Sequence, residues 1–274
     1  MVIAMASPAM AVVMDNETRT VTSSDVPDFY SLGNQSHLIV QPGANLIGVS
    51  LLNSTLDLSQ ATTGGITAQG STVALDGAQV DANSRSNLAL TLTESTGTIS
   101  NSKLANTNGV GMLVTHSLTG TTGSTATVGN STITGTTNGV GVFGYSTLIL
   151  ERNSQVYSTA TGSAALIVRA GTAQLTDSLL HGAQNGVIFC TDSALTAGQL
   201  SLDGSDVVGV TGAAIRVEAG TSATIDITNK STLTGGNGNI LEVDQGSTAA
   251  VSTQNVALEG NVLVTGGSTA DLAL

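Results

Sequence analysis

A short phrase recurs through this chain at nearly constant phase, and it limits the possible folds more than any other feature. Residues 125–144 (TATVGNSTITGTTNGVGVFG), 172–189 (TAQLTDSLLHGAQNGVIF) and 221–243 (TSATIDITNKSTLTGGNGNILEV) share one plan. Each has a short strand, a polar turn holding a serine, a second strand, a Gly/Asn turn and a third apolar strand. The turn serines are Ser102, Ser131, Ser154, Ser178, Ser205 and Ser231, separated by 29, 23, 24, 27 and 26 residues. A glycine before the third strand recurs at Gly109, Gly139, Gly162, Gly186, Gly212 and Gly238, separated by 30, 23, 24, 26 and 26 residues. Two markers in step define a repeating supersecondary unit, and such units bury their cores by stacking.

Within a unit the apolar positions alternate. Residues 164–171 (AALIVRAG) and 213–220 (AAIRVEAG) place aliphatic or small side chains at every second position, which is the period of a strand. A propeller blade needs about 40 residues, a leucine-rich repeat needs its fixed leucine frame, and the calcium-binding nonapeptide needs a recurring Gly-Gly-x-Gly-x-Asp. None of these is present. The pattern predicts an all-β, right-handed parallel β-helix with three strands per coil, built from about eight to ten coils of roughly 25 residues each. Val140, Val142, Leu166, Val168, Val187, Ile215, Val217, Ile240 and Leu241 are expected in one stacked strand column.

Composition agrees. Hydrophobic residues make up 40% of the chain but aromatics only 2%, so the core must be aliphatic. Charged residues are 9% of the chain, too few for a disordered polar polymer. Abundant Thr, Val and Ile favour strands, while 33 glycines and many asparagines favour turns. Seven Lys and Arg against 19 Asp and Glu give a net charge of -12. The cations are scattered, so the basic footprint that nucleic acid requires is missing.

The chain divides into three parts. Residues 1–11 are apolar and end in Ala9-Met10-Ala11, the cleavage pattern of a secretory signal without its basic start. Export is therefore expected. Residues 12–69 hold Phe29, Tyr30, Pro27 and Pro42 and repeat less regularly; they read as an N-terminal cap and first coils, since terminal repeats are atypical. Residues 70–274 are the regular coils. The end, Ala270-Asp271-Leu272-Ala273-Leu274, starts a strand and stops, which leaves an open sheet edge and suggests a truncated chain. No stretch approaches the ~20 apolar residues of a membrane span.

Candidate chemistry was sought among the carboxylates, histidines and the single thiol. Glycosidases of this shape need two convergent carboxylates, and the pairs available are Asp203 with Asp206 and Asp226 with Glu242 or Asp244. Asp203 and Asp206 flank a turn, where Asp serves local hydrogen bonding. Arg169 and Arg216 occupy similar places in their coils and read as solvated strand positions. His37, His116 and His181 are widely separated in the repeat, so a metal site is not expected. Phe143, Tyr145, Tyr157 and Phe189 either line one side of the helix, where they would suit sugars, or fill the core. Cys190 lies in Val187-Ile188-Phe189-Cys190 and reads as a buried structural thiol. Asn-x-Ser/Thr triplets such as 53–55 and 130–132 follow from composition. The sequence thus yields no catalytic, cofactor-binding or metal-binding set.

Residues from about 70 to 274 resemble the passenger domain of pertactin-like autotransporters of Gram-negative bacteria. The resemblance rests on the phrases at 70–80 (GSTVALDGAQV) and 214–225 (AIRVEAGTSATI), and on the closing stretch 258–274 (LEGNVLVTGGSTADLAL). It implies a pectin-lyase-like solenoid passed through the periplasm to the cell surface, without catalysis. Adhesion or another virulence-associated role follows, with a host-surface or extracellular-matrix ligand, or a like molecule on another cell, as partner. A translocator barrel is expected downstream. Two departures stand out, since no barrel follows in this chain and no Arg-Gly-Asp triplet is present. Pectate lyases, polygalacturonases and phage tailspikes share the architecture, so the alternative is a polysaccharide-active lyase or hydrolase.

Overall fold

The computed structural model describes residues 11–82 and 86–273. The expectation for the signal-like segment 1–11 falls almost entirely outside them. The described chain is a parallel β-solenoid of three sheets. Sheet 1 has 12 strands beginning with Val12–Asp15, sheet 2 has 12 beginning with Thr18–Val21, and sheet 3 has 8 beginning with Thr62–Thr63. Eight turns therefore carry all three strands, with two two-stranded turns before them and two after. Each strand pairs in parallel with the same strand of the next turn, as in Leu166↔Val187 and Leu200↔Ile225. In the first turns the partners Val12↔Tyr30, Tyr30↔Val49 and Val49↔Ile66 are closer along the chain than later ones: the first two turns lack the third strand, and in the next that strand is only Thr62–Thr63.

The core is a set of aliphatic columns. Met112, Val140, Leu166, Val187, Ile215 and Leu241 stack in one column of sheet 1, and Val114, Val142, Val168, Phe189, Val217 and Val243 in a second. All are buried. The expected column is thus present as two inward columns of one sheet, except for Ile240, which stands at a skipped position between the paired Asn239 and Leu241. Each such side chain is worth roughly 1.5–3 kcal/mol of burial, which explains why a chain with so few aromatics folds.

Where sheet 1 begins, the pairing skips one residue per turn. Ala89, Gly111, Gly139, Ala165 and Gly186 occupy this skipped position between paired neighbours. The position must be small. A Cβ on Gly139 would lie 2.4 Å from Val156 Cγ1, and one on Gly186 2.4 Å from Val207 Cγ1, both core side chains of sheet 3. Only Gly139 and Gly186 of the glycine markers stand here. Gly162 and Gly238 are left-handed turn residues with φ of 86° each, whereas Gly109 and Gly212 are neither, so that marker combines several structural positions.

The serine marker is one position throughout, the corner between sheets 2 and 3. The preceding residue is left-handed at Asn101, Asn130, Asn153, Asp177 and Gly204, and Asn, Asp and Gly tolerate that conformation best. The serine that follows is buried, and at several turns its hydroxyl caps the turn before it. Ser102 N–H donates to Ser131 Oγ (3.0 Å), Ser178 N–H to Ser205 Oγ (3.1 Å) and Ser205 N–H to Ser231 Oγ (3.0 Å). A second serine ladder, Ser54, Ser71, Ser95, Ser124 and Ser146, runs along the corner between sheets 1 and 2 with the same bonds. Asn53 and Asn130 of the Asn-x-Thr triplets are left-handed corner residues, so conformation accounts for them.

Candidate functional site

The carboxylates proposed from sequence are each held by other groups of the fold. Asp226 stands on a sheet 2 strand and Glu242 on a sheet 1 strand. Asp203 accepts from Asn229 Nδ2 (2.6 Å), Asp206 accepts from Thr232 Oγ1 (2.5 Å), and Asp226 accepts from Ser252 Oγ. Glu242 accepts from Asn237 and Asn239 (2.7 Å each), and Asp244 is paired with Arg216 (2.8 Å). Each of Asp203, Asp206, Asp226 and Asp244 thus binds a residue 26–28 positions away, in the neighbouring turn. They stitch turns together. Among the described residues no group of three His, Cys, Asp or Glu is placed to hold a metal ion.

Three other expectations are corrected by the alternation of the strands. Arg169 pairs opposite Phe143 and Cys190, whereas Arg216 pairs opposite Ile188 and Glu242, so the two arginines occupy different columns. Cys190 is only partly buried, because Val187 and Phe189 point inward and their neighbour must point out. Partial burial raises the Cys190 thiol above its ordinary pKa, and the adjacent Arg169 offsets this only in part. The four aromatics form no stripe. Phe189 is in the core, Phe143 lies under the Arg169 guanidinium at 4.6 Å, Tyr157 faces His181 on sheet 3, and Tyr145 is on a corner.

The regular surface is interrupted at the corner between sheets 1 and 2. Most turns cross it in a few residues, such as 144–146 and 170–171 between their flanking strands. Two crossings are longer, 116–124 and 191–196. They belong to turns three apart in the stack, and they reach over the two short crossings between them to meet. His116 Nε2 lies 2.9 Å from Asp192 Oδ2, and the two side chains are 16% and 17% exposed. His116 Nδ1 faces the Gly120 carbonyl at 3.3 Å. Both ring nitrogens therefore face acceptors, which favours the imidazolium. The pKa of His116 is raised, chiefly by Asp192, against the opposing effect of burial. The imidazole rests directly on the backbone at Gly144, where a Cβ would come within 2.0 Å of it, and meets the Tyr145 ring edge-on at 5.6 Å.

A paired His and Asp suggest acid–base chemistry, but the hydroxyl and thiol nearest them in sequence are both otherwise engaged or protonated. Ser117 Oγ donates to Glu94 at 2.6 Å, and the Cys190 thiol is held protonated. The pair acts as a clasp between two loops. His116 and Asp192 are 76 residues apart in the chain, so the fold and not local sequence brings them together.

No family model and no curated protein sequence matches the chain. Its architecture is similar to that of pectate lyase Pel9A (TM-score 0.50, 11% identity, covering 94% of this chain and 79% of that one). Weaker likenesses include PfbA, a surface adhesin of Streptococcus pneumoniae (TM-score 0.40, 10% identity, 93% and 82% covered). Another is endopolygalacturonase I from Stereum purpureum (TM-score 0.34, 13% identity, 96% and 91% covered). At such identities the likeness establishes a pectate-lyase-like β-helix and nothing about activity.

Proposed function

We propose that the chain is an exported, surface-displayed β-helical module that binds its ligand without transforming it, as autotransporter passengers of adhesive type do. One observation carries this reading. Asp203, Asp206, Asp226 and Asp244, all proposed for catalysis, each hold a hydroxyl, amide or guanidinium group of a neighbouring turn. The neighbouring Ser117 hydroxyl of the His-Asp clasp is likewise engaged, by Glu94. A host-surface or extracellular-matrix ligand is the expected partner, and an in-frame translocator barrel encoded downstream would complete the export machinery.

The test has two arms. Purified protein incubated with polygalacturonate or alginate should release no unsaturated products or reducing ends. Beads coated with it should adhere to host cells or matrix proteins. Turnover that disappears in Asp203→Asn or Asp206→Asn protein would replace this reading with a polysaccharide-active enzyme.

A further inference from the structure

The clasp has a structural consequence beside it. The crossing at 170–171 is shorter than those before and after it, so the corner is notched there. The notch is open, with a volume of about 520 Å³. Tyr145 stands on one side, half exposed. The extended crossing 191–196 forms the opposite wall, Ala170 and Gly171 lie at its base, and Thr172, Thr196 and Gln199 supply hydroxyl and amide groups. Among the described residues no charged side chain lines it. Both walls are fixed by the same contact, because Asp192 anchors the crossing and its partner His116 braces the Tyr145 ring.

We propose that this notch binds one or two neutral sugar rings of a glycan. An aromatic face offers an apolar platform with a polar rim, and a pyranose presents the complement, a face of C–H groups edged by hydroxyls. Neutral donors and acceptors around an open concavity fix orientation without requiring a charged ligand. The absence of lining cations argues against uronic acids, whose carboxylates need a charged or multidentate partner. Tyr145 is the platform residue, and His116 and Asp192 are positioning residues. The proposal rests on the binding-module reading above and names its ligand class.

Saturation-transfer NMR on the full chain tests it, with lactose, maltose, cellobiose and chitobiose as probes and digalacturonate as the charged control. At least one neutral disaccharide should show transfer to its ring protons. Tyr145→Ala should weaken binding about tenfold or more, whereas Tyr145→Phe should stay within about threefold, since the ring face and not the hydroxyl does the work. Asp192→Asn should weaken it severalfold with an unchanged circular dichroism spectrum. The proposal falls if no neutral sugar shows transfer at millimolar concentration, if Tyr145→Ala binds normally, or if digalacturonate binds better. Cell adhesion measured on the same Tyr145→Ala protein separates the two readings. Sugar binding lost with adhesion intact leaves the module and discards this notch as its adhesive contact, while sugar binding without any adhesion by the parent protein retains the notch and discards the module.

Discussion

Removing one hydroxyl from the serines at the corner between sheets 2 and 3 should cost very different amounts at two equivalent-looking positions. Ser205 is fully buried. Its Oγ accepts the Ser178 N–H at 3.1 Å and donates to the Asp203 carbonyl at 3.0 Å. In Ser205→Ala the Ser178 amide loses that acceptor in a buried corner, and an orphaned buried donor costs about 1–3 kcal/mol. Ser154 is also buried, but its one hydroxyl proton is shared between the carbonyls of Val128 (3.0 Å) and Glu151 (2.7 Å). The Glu151 carbonyl also accepts the Ser154 N–H at 3.2 Å. Ser154→Ala therefore removes one donor and strands no amide, at about 0.5–1.5 kcal/mol, the net worth of an ordinary hydrogen bond. Urea unfolding of both variants, with amide exchange to place the effect in the adjacent turns, checks the ranking. Exchange should accelerate at Ser178 in the first variant. A Ser154→Ala loss equal to or larger than that of Ser205→Ala would refute the donor–acceptor reasoning, because burial alone would then decide the cost.

Gly139→Val should destabilise by about 1–3 kcal/mol or prevent folding, since the added atoms meet the Val156 side chain in a packed core; the thermal midpoint reads this, and Val156→Ala should recover part of it. The His116 pKa is raised in the folded chain, so the clasp's contribution is fully present below the ordinary histidine value and is lost as pH rises through the raised one. Limited proteolysis within 117–123 should accelerate from pH 5.5 to 8.5, and Asp192→Asn should flatten that dependence. Val262, Leu263 and Val264 are 38, 45 and 40% exposed, so amides of 261–273 should exchange faster than those of 164–243 in monomeric protein. Equal protection would show that this edge is covered.

What could be read from the sequence follows from which interactions repeat. Stacking puts the same demand on every turn, so the left-handed residue and its buried serine recur and reveal the corner between sheets 2 and 3. The skipped small position recurs too, but either Ala or Gly satisfies it, so glycine alone was an impure marker. The second serine ladder escaped notice because its partners are 17, 24, 29 and 22 residues apart, an uneven spacing in a chain rich in Ser and Thr. The clasp is different in kind, since it occurs once. Yet its loops left a trace. The interval from Ser102 to Ser131 is 29 residues and that from Ser178 to Ser205 is 27, the two longest between marker serines. Those intervals contain the long crossings 116–124 and 191–196. In a solenoid an insertion always emerges at a fixed angular position, so two insertions at the same corner and a few turns apart must project side by side. The departures from the repeat, more than the repeat itself, point to where the surface is built for something other than stacking.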